Sequence, residues 1–212
     1  MQKYFPCVYL ILAVLFFSLG RQSYGADWYA VKWVNDGDTV VLKDGRKVRY
    51  IGINAPEIGH AGQKAEPFGN TAKKFNEKLV SFKKVRLEFG EEQYDQYGRL
   101  LAYIFLQEGT FVNKALLERG YAHILPRKPN GKYEDEFLEV QRNAMLAGKG
   151  IWHNWKEKET GYLGNGHSKR FHLKTCFFGK RIGKENRILF SRKWDAFWAG
   201  FAPCKKCIGK SK

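Results

Sequence analysis

The most constraining feature of this 212-residue chain is a series of short β-branched segments separated by glycine-containing turns. Residues 39–42 and 47–53 are two such segments, and Lys43-Asp-Gly-Arg46 joins them with a strong hairpin signal. Three further segments have the length and composition of strands. Five short strands of this kind predict a small closed barrel. The three further segments are residues 27–35, 85–89 and 100–106.

Three other segments repeat apolar residues at helical spacing and predict helices that pack on the barrel. The third of these helices should end at Gly148 and Gly150, and we expect Trp152 to pack its end onto the barrel. Strands followed by helices in this arrangement predict an α+β fold. The repeating positions are Phe68, Ala72, Phe75 and Leu79, then Val112, Ala115 and Leu116, then Phe137, Val140, Ala144 and Ala147.

Residues suited to phosphate chemistry are concentrated between Asn35 and Glu57. Asp38 follows the turn Asp36-Gly37, where glycine accepts backbone angles that other residues avoid, so we expect its carboxylate to be anchored at a strand start. Carboxylates that hold a cation, a carboxylate that activates water and guanidinium groups that bind phosphate are what phosphodiester hydrolysis requires. The residues of these types are Asp38, Asn54, Glu57, Arg49 and, later in the chain, Arg99.

Four sequence pieces in register resemble the staphylococcal nuclease (thermonuclease) family, over roughly residues 28–153. The resemblance implies an OB-fold, a five-stranded β-barrel with three helices, and a metal-dependent phosphodiesterase that acts on nucleic acids. The pieces are Asp36-Gly-Asp-Thr39, Arg49 to Glu57, Asp95-Gln-Tyr-Gly-Arg99-Leu-Leu-Ala-Tyr103, and Val112-Asn-Lys-Ala-Leu-Leu-Glu-Arg-Gly120.

The resemblance also implies a calcium site and a general base. Asp38 and the backbone carbonyl of Ala55 match calcium ligands, and Asn54 stands where the family commonly has a second liganding aspartate. An amide oxygen can bind a hard cation without contributing charge, so we expect calcium binding to persist and to weaken. Glu57 matches the group that activates water, and Pro56 should restrict its orientation.

The arginines and one tyrosine are the expected substrate contacts. By the resemblance, Arg49 and Arg99 flank the scissile phosphate, whose equatorial oxygens a planar guanidinium can bind in pairs. Tyr97 is expected to contact a terminal phosphate or sugar. Leu125 and Arg127 replace tyrosines of the best-known member, which weakens base stacking and increases the dependence on charge. Arg127 and the neighbouring Lys128 are then candidate substrate-binding residues.

The net charge of +16 and the pI near 9.7 indicate a polyanionic partner, either nucleic acid or an anionic surface. A site made of phosphate contacts reads the backbone and not the bases, so DNA and RNA are both expected substrates.

One alternative is an OB-fold protein that binds nucleic acid with a weak or lost active site, which the Asn54 replacement favours. A second alternative is a basic membrane-surface protein. We expect a monomer without a stable protein partner.

Residues 1–25 have the pattern of a secretory signal peptide. A basic start precedes the apolar run 7–19, and Ser23-Tyr-Gly25 places small residues before a cut at Ala26. The run is short for a membrane span, although an uncleaved anchor is an alternative. The pattern predicts export to the periplasm or the medium.

The composition changes after residue 155, which divides the chain into a nuclease-like domain (26–155), a glycine-containing linker (156–169) and a small module (170–212). In the module we expect a strand at 186–190 and a short helix at 194–199. His172, Cys176, Cys204 and Cys207 form two closely spaced pairs that are typical of a structural zinc site.

The module resembles the zinc module at the start of the bacterial alkylation-repair protein Ada, with His172 in place of the first cysteine. His167 is a possible substitute ligand. A disulfide is the alternative to zinc, although three cysteines would leave one thiol unpaired once residues 1–25 are removed. The aromatic and basic residues of the module are compatible with either a nucleic-acid contact or a capping role.

Overall fold

The computed structural model describes residues 27–59, 62, 64–157 and 160–208. Its first part is an α+β unit in which a closed barrel is covered by helices on one side. The elements of this part are β1 (Trp28–Asp36), β2 (Thr39–Leu42), β3 (Lys47–Tyr50), β4 (Ile53–Asn54), α1 (Gly69–Val80), β5 (Lys84–Tyr94), β6 (Leu100–Leu106), α2 (Val112–Glu118), β7 (His123–Ile124) and α3 (Glu134–Leu146), followed by a 3₁₀ turn (Gly150–Trp152).

The predicted five-stranded barrel and its three helices are confirmed. The strand order is β1-β2-β3-β6-β5, and all pairs are antiparallel except β3 with β6. The strand predicted at 47–53 is shorter, because Gly52 adopts a positive φ of 77° and turns the chain out of the barrel. Ile53 and Asn54 then pair with β7. This exit from the barrel brings Asn54 and Glu57 to the end of β3.

Gly37 is required for a reason other than the one we expected from the sequence. Its φ does not lie in the positive region, so the expectation of unusual backbone angles is wrong. A Cβ atom at this position would instead lie 2.5 Å from the Cβ of Ala55 and 2.8 Å from the Cβ of Ala72. Glycine therefore allows α1 and the segment after β4 to approach the turn that carries Asp38.

The C-terminal part forms a four-stranded sheet with the order β10-β8-β9-β11. The predicted linker 156–169 is wrong in part, because β8 lies within it and buries Tyr162 against Phe171. The strand and the helix predicted near residues 186–199 are confirmed. The elements are β8 (Tyr162–Asn165), β9 (Arg170–Leu173), α4 (Phe177–Lys180), a 3₁₀ turn (Lys184–Asn186), β10 (Arg187–Phe190), α5 (Lys193–Trp198) and β11 (Ala202–Pro203).

The C-terminal part packs against α3 through a second hydrophobic core. Trp152 lies in this core and contacts Phe197 and Trp194, so the expectation that it packs onto the barrel is wrong. Ala144 and Met145 of α3 belong to the same cluster. One helix thus serves two cores, the barrel core through Phe137 and the second core through its C-terminal half.

Within the described residues, no helix combines the length and the apolarity that crossing a membrane requires. The predicted signal peptide (1–25) lies outside the described residues.

Gln141 joins the two cores through hydrogen bonds. Its side chain is completely buried; Oε1 accepts a hydrogen bond from the Ile124 amide at 2.7 Å, and Nε2 donates one to the Phe197 carbonyl at 2.8 Å. Without it the Ile124 amide would lose its partner, whereas the Phe197 carbonyl would keep the hydrogen bond from the Gly200 amide at 3.0 Å. An unpaired buried polar group destabilises the native state.

We therefore predict that Gln141→Met destabilises the protein by about 1–3 kcal/mol, because it leaves the buried Ile124 N–H without a partner and removes one of the two hydrogen bonds to the Phe197 carbonyl. Urea unfolding followed by tryptophan fluorescence measures this loss. Gln93→Met makes the same chemical change at an exposed position and should shift the midpoint little. Equal midpoints for the two variants would contradict the bridging role of Gln141.

Candidate active site

A cleft of about 660 Å³ lies between the barrel and the C-terminal module. The exit from β3, the turn before β6 and the segment after β7 form its barrel side, and the ends of β9 and β11 form the other side. Its charged lining residues are the basic Arg49, Arg99, Arg127, Arg170 and Lys205 and the acidic Glu57, Glu66 and Asp95.

Asp38 and Arg49 form a buried ion pair at the base of this cleft. Asp38 Oδ2 lies 3.0 Å from Arg49 Nη2 and accepts a hydrogen bond from the Ala55 amide at 2.7 Å. Asp38 does not itself line the cleft, whereas its partner Arg49 does. The pair therefore ties the start of β2 to β3 and to the segment after β4.

Arg49 is held by several acceptors at once. Nη1 donates to the carbonyls of Tyr50 (2.7 Å) and Ile53 (2.9 Å), and Nη2 donates to Asn54 Oδ1 (3.1 Å). These contacts orient the guanidinium before any ligand binds. Its positive charge is fixed in the wall of the cleft.

The burial of Asp38 raises the pKa of its carboxyl to about 7, although the Arg49 charge opposes the shift. Asp36 adds to the rise, because its carboxylate lies next to that of Asp38 and accepts a hydrogen bond from the Asp38 amide at 3.1 Å. Our sequence analysis did not assign a role to Asp36. The spacing of two aspartates around one glycine was the signal that could have identified this second carboxylate.

The three expected calcium ligands converge. Asp38 Oδ2 and Asn54 Oδ1 both contact Arg49 Nη2, and the Asn54 amide donates to the Ala55 carbonyl at 3.1 Å. These oxygens are the donor type that a hard cation prefers. The pKa of Asp38 is raised mainly because the carboxyl is buried, and the Arg49 charge offsets that burial only in part. The three oxygens are therefore a donor set of the type that a hard divalent cation takes.

Glu57 lies on the cleft wall on a rigid backbone. Its amide donates to Glu66 Oε2 at 2.9 Å and its carbonyl accepts from the Glu66 amide at 3.0 Å. A Cβ at Gly69 would collide with the Glu57 carbonyl, so the start of α1 packs directly on this segment. The carboxylate itself is accessible, and its contact is with Lys205 Nζ at 3.2 Å.

Arg99 is positioned by Asp95. Arg99 Nε and Nη2 both lie 2.7 Å from Asp95 Oδ2, and Asp95 Oδ1 accepts the backbone amides of Tyr97 and Arg99. The hydrogen bonds and the Arg99 charge hold the pKa of Asp95 below its usual value although burial acts in the opposite direction. Tyr97 is 74% exposed at the rim, with the Arg99 guanidinium 5.5 Å from its ring centre.

The other expected substrate contacts are separated. Arg127 lines the cleft and pairs with Glu92 at 2.9 Å, whereas Lys128 is exposed and does not belong to the lining. Two residues further on, the Asn130 side chain accepts a hydrogen bond from the Glu92 amide and donates one to the Glu92 carbonyl, which holds this segment against β5. Leu125, one of the two positions at which the sequence lacks the expected tyrosine, lines the cleft.

The sequence analysis missed the contributions of His123, Arg170 and Lys205 to the cleft. His123 is buried, and burial lowers its pKa to about 4, so the ring is neutral at pH 7. Arg170 and Lys205 come from the module, and their positions follow from its docking on α3. Local sequence patterns hold no signal for that docking.

His172, Cys176, Cys204 and Cys207 lie together, with their ligand atoms all within 4.8 Å of one another. The three thiols form no disulfide in the described part of the chain. His167 is exposed at the turn between β8 and β9 and is not part of this cluster. One nitrogen donor and three sulfur donors at this separation fit a tetrahedral metal ion.

A closed five-stranded barrel that presents arginines and carboxylates in one cleft has the groups that hydrolysis of a phosphate ester requires. The comparisons with known proteins agree. A family model described as staphylococcal nuclease homologue matches residues 47–154. The thermonuclease of Staphylococcus hyicus is 35% identical over 142 residues, which cover 66% of this chain and 83% of that protein.

Two further relatives are similar. The thermonuclease of Staphylococcus intermedius is 38% identical over 127 residues, covering 58% of this chain and 75% of that protein. Endonuclease YncB of Bacillus subtilis is 36% identical over 135 residues, covering 61% of each. The chain therefore belongs to the staphylococcal nuclease family, and it is a nuclease, an enzyme that hydrolyses phosphodiester bonds.

Proposed function

We propose that this nuclease is an exported, calcium-dependent enzyme that hydrolyses both DNA and RNA with low sequence specificity. The observation that carries the proposal is the meeting of Arg49, Arg99 and Glu57 in one cleft, directly in front of the buried Asp38. Calcium held by Asp38, Asn54 and the Ala55 carbonyl would stabilise the negative charge that builds up on phosphate oxygens.

Glu57 and the two arginines, Arg49 and Arg99, have separate roles in the reaction. Glu57 accepts a proton from a water molecule as the water oxygen forms a bond to phosphorus, and the bond from phosphorus to the leaving oxygen breaks. Arg49 and Arg99 bind the equatorial phosphate oxygens, which carry more negative charge in the transition state than in the substrate. Arg49 is preoriented by backbone carbonyls and Arg99 by Asp95, so little reorganisation accompanies the reaction.

Low sequence specificity follows from the same contacts. The cleft offers cationic groups to a phosphate backbone, and Leu125 and Arg127 stand where aromatic rings would hold a base. Phosphate contacts do not distinguish bases, and nothing in this arrangement selects for or against a 2′-hydroxyl. Export is supported by the pattern of residues 1–25, which lie outside the described part of the chain.

The first test is hydrolysis of single-stranded DNA and of RNA with calcium and with excess chelator, by the wild type and by Glu57→Gln. We expect calcium-dependent cleavage of both substrates and a loss of about 10²–10⁴-fold in the variant, because general base catalysis contributes an effect of that size. Glu91→Gln, an exposed carboxylate outside the cleft, should retain wild-type activity.

The alternative is a protein that binds nucleic acid with a weakened active site, and the replacement of a liganding aspartate by Asn54 favours it. Tight DNA binding without cleavage in calcium, magnesium or manganese would support that alternative. It would also remove the support for Glu57 as the base.

A second prediction concerns pH. Burial raises the pKa of Asp38 to about 7, so the carboxyl is largely ionised at pH 8 and largely protonated at pH 6. Calcium requires the ionised form, so its affinity should fall as the pH falls, by roughly tenfold between pH 8 and pH 6. Isothermal titration calorimetry at both pH values measures the change. Equal calcium affinities would show that Asp38 is not a ligand or does not titrate in this range.

We further propose that the His172, Cys176, Cys204 and Cys207 cluster binds a structural zinc ion. Elemental analysis should find one zinc per chain in the wild type and none in Cys204→Ser, whereas His167→Ala should keep the metal because His167 lies outside the cluster. A zinc-free protein with one disulfide, detected by its mass and by thiol titration, would decide for the alternative.

A further inference from the structure

The C-terminal module contributes two cations to the wall of the cleft. Arg170 is the first residue of β9, and Lys205 follows β11 by two residues. Both residues line the cleft that also contains Arg49 and Arg99. The nuclease-like barrel therefore supplies only part of the surface that a bound strand would contact.

Arg170 is a preoriented cation. Its Nη1 and Nη2 both lie 3.2 Å from the Pro126 carbonyl, so the guanidinium is anchored across the junction between module and barrel. Within the described residues it has no carboxylate partner: its hydrogen bonds all go to backbone carbonyls. Arg127, which lines the same cleft, is near enough for its charge to act on Arg170. Arg127 is itself paired with Glu92, so Arg170 is the guanidinium of the two whose charge no described carboxylate offsets, and it attracts an anion.

Lys205 is positioned by the cysteine cluster. The Cys204 amide donates to the Phe171 carbonyl at 2.9 Å and the Cys207 amide donates to the Cys204 carbonyl at 3.2 Å, so Lys205 projects from a tight turn. Its partner is Glu57 at 3.2 Å, and the lysine side chain is 70% exposed. An exposed ion pair of this type contributes little stability and exchanges readily, so a phosphate can replace the carboxylate as its partner.

We propose that Arg170 and Lys205, together with Arg127, form a second phosphate-binding subsite for a nucleic-acid strand, beside the one formed by Arg49 and Arg99. The subsite rests on the proposed function, and it assigns to the module a direct part in substrate binding. It binds a neighbouring phosphate of the same strand, which moves Lys205 away from Glu57 and leaves that carboxylate available for the reaction.

The test is the affinity of a fluorescein-labelled single-stranded DNA oligonucleotide, measured by anisotropy at several salt concentrations. All proteins are full-length and carry Glu57→Gln, which slows hydrolysis, and the measurements are made in excess chelator so that the DNA stays intact. The added variants are Arg170→Ala and Lys205→Ala, with Lys184→Ala as the control, because Lys184 is an exposed lysine of the module outside the cleft. Zinc content and thermal unfolding are measured for each.

Each subsite variant should bind roughly tenfold more weakly at low salt, and its plot of log affinity against log salt should be shallower by about 0.7, the value for one lost phosphate contact with a single strand. Lys184→Ala should change neither quantity. Lys205→Ala keeps the test valid even where Arg170→Ala disturbs the junction, because the Lys205 side chain is exposed.

The subsite would be overturned by binding and salt dependence equal to those of the control in both variants. A second result would also overturn it: with Glu57 present, the Lys205→Ala variant cleaves DNA faster than the wild type but binds DNA equally well. Lys205 would then only restrain Glu57. A wild-type protein that binds DNA without cleaving it would overturn the proposed function alone, because the salt dependence still reports on the subsite.

Discussion

The buried ion pair between Asp38 and Arg49 is the interaction on which the site depends. Burying two charges is expensive, and a pair of this kind seldom adds net stability compared with apolar residues of the same volume. Here it joins three parts of the chain, since Asp38 also accepts the Ala55 amide and Arg49 also binds the Tyr50 and Ile53 carbonyls. The pair is therefore better explained by the position that it gives to the surrounding groups than by stability.

The Arg49 charge offsets the burial of Asp38 only in part, and burial together with the neighbouring Asp36 raises the pKa of Asp38 to about 7. Gly37 makes this arrangement possible, because no larger residue would allow Ala55 and Ala72 to approach so closely. The barrel thus builds a carboxylate that gains from an additional positive charge. A divalent cation is one source of that charge, and Asn54 limits how strongly the remaining ligands can hold it.

The barrel and its helices were predictable because their signals are local. The Asp-Gly hairpin after β2, the β-branched runs and the helical spacing at Ala72 and Phe137 all lie within a few residues of the structure that they specify. The residues quoted for the site, Arg49, Glu57 and Arg99, do line one cleft. Arg49 lies on β3, Glu57 in the segment that follows β4, and Arg99 in the turn before β6, which pairs with β3.

The features that were missed depend on contacts between distant parts of the chain. β8 is only four residues long and contains Gly164, so it looks like a linker until β9 and β10 pair with it. Lys128 lies outside the cleft, in a segment that Asn130 holds against β5 by bonding to Glu92, 38 residues away in sequence. Trp152 packs against Phe197 of the module instead of against the barrel, and no sequence pattern near residue 152 indicates this contact.

The charge pattern of the cleft explains how a strongly basic chain can bind a polyanion and still release it. Arg49, Arg99 and Arg127 are each paired with a carboxylate, and Lys205 is paired with Glu57. A phosphate must share or displace these partners, so each contact contributes less than an isolated cation would. Arg170 has no such partner among the described residues, and it lies on the module rather than on the barrel. The module therefore supplies the cation whose attraction for phosphate is least offset, and the surrounding ion pairs keep the site ordered when no substrate is bound.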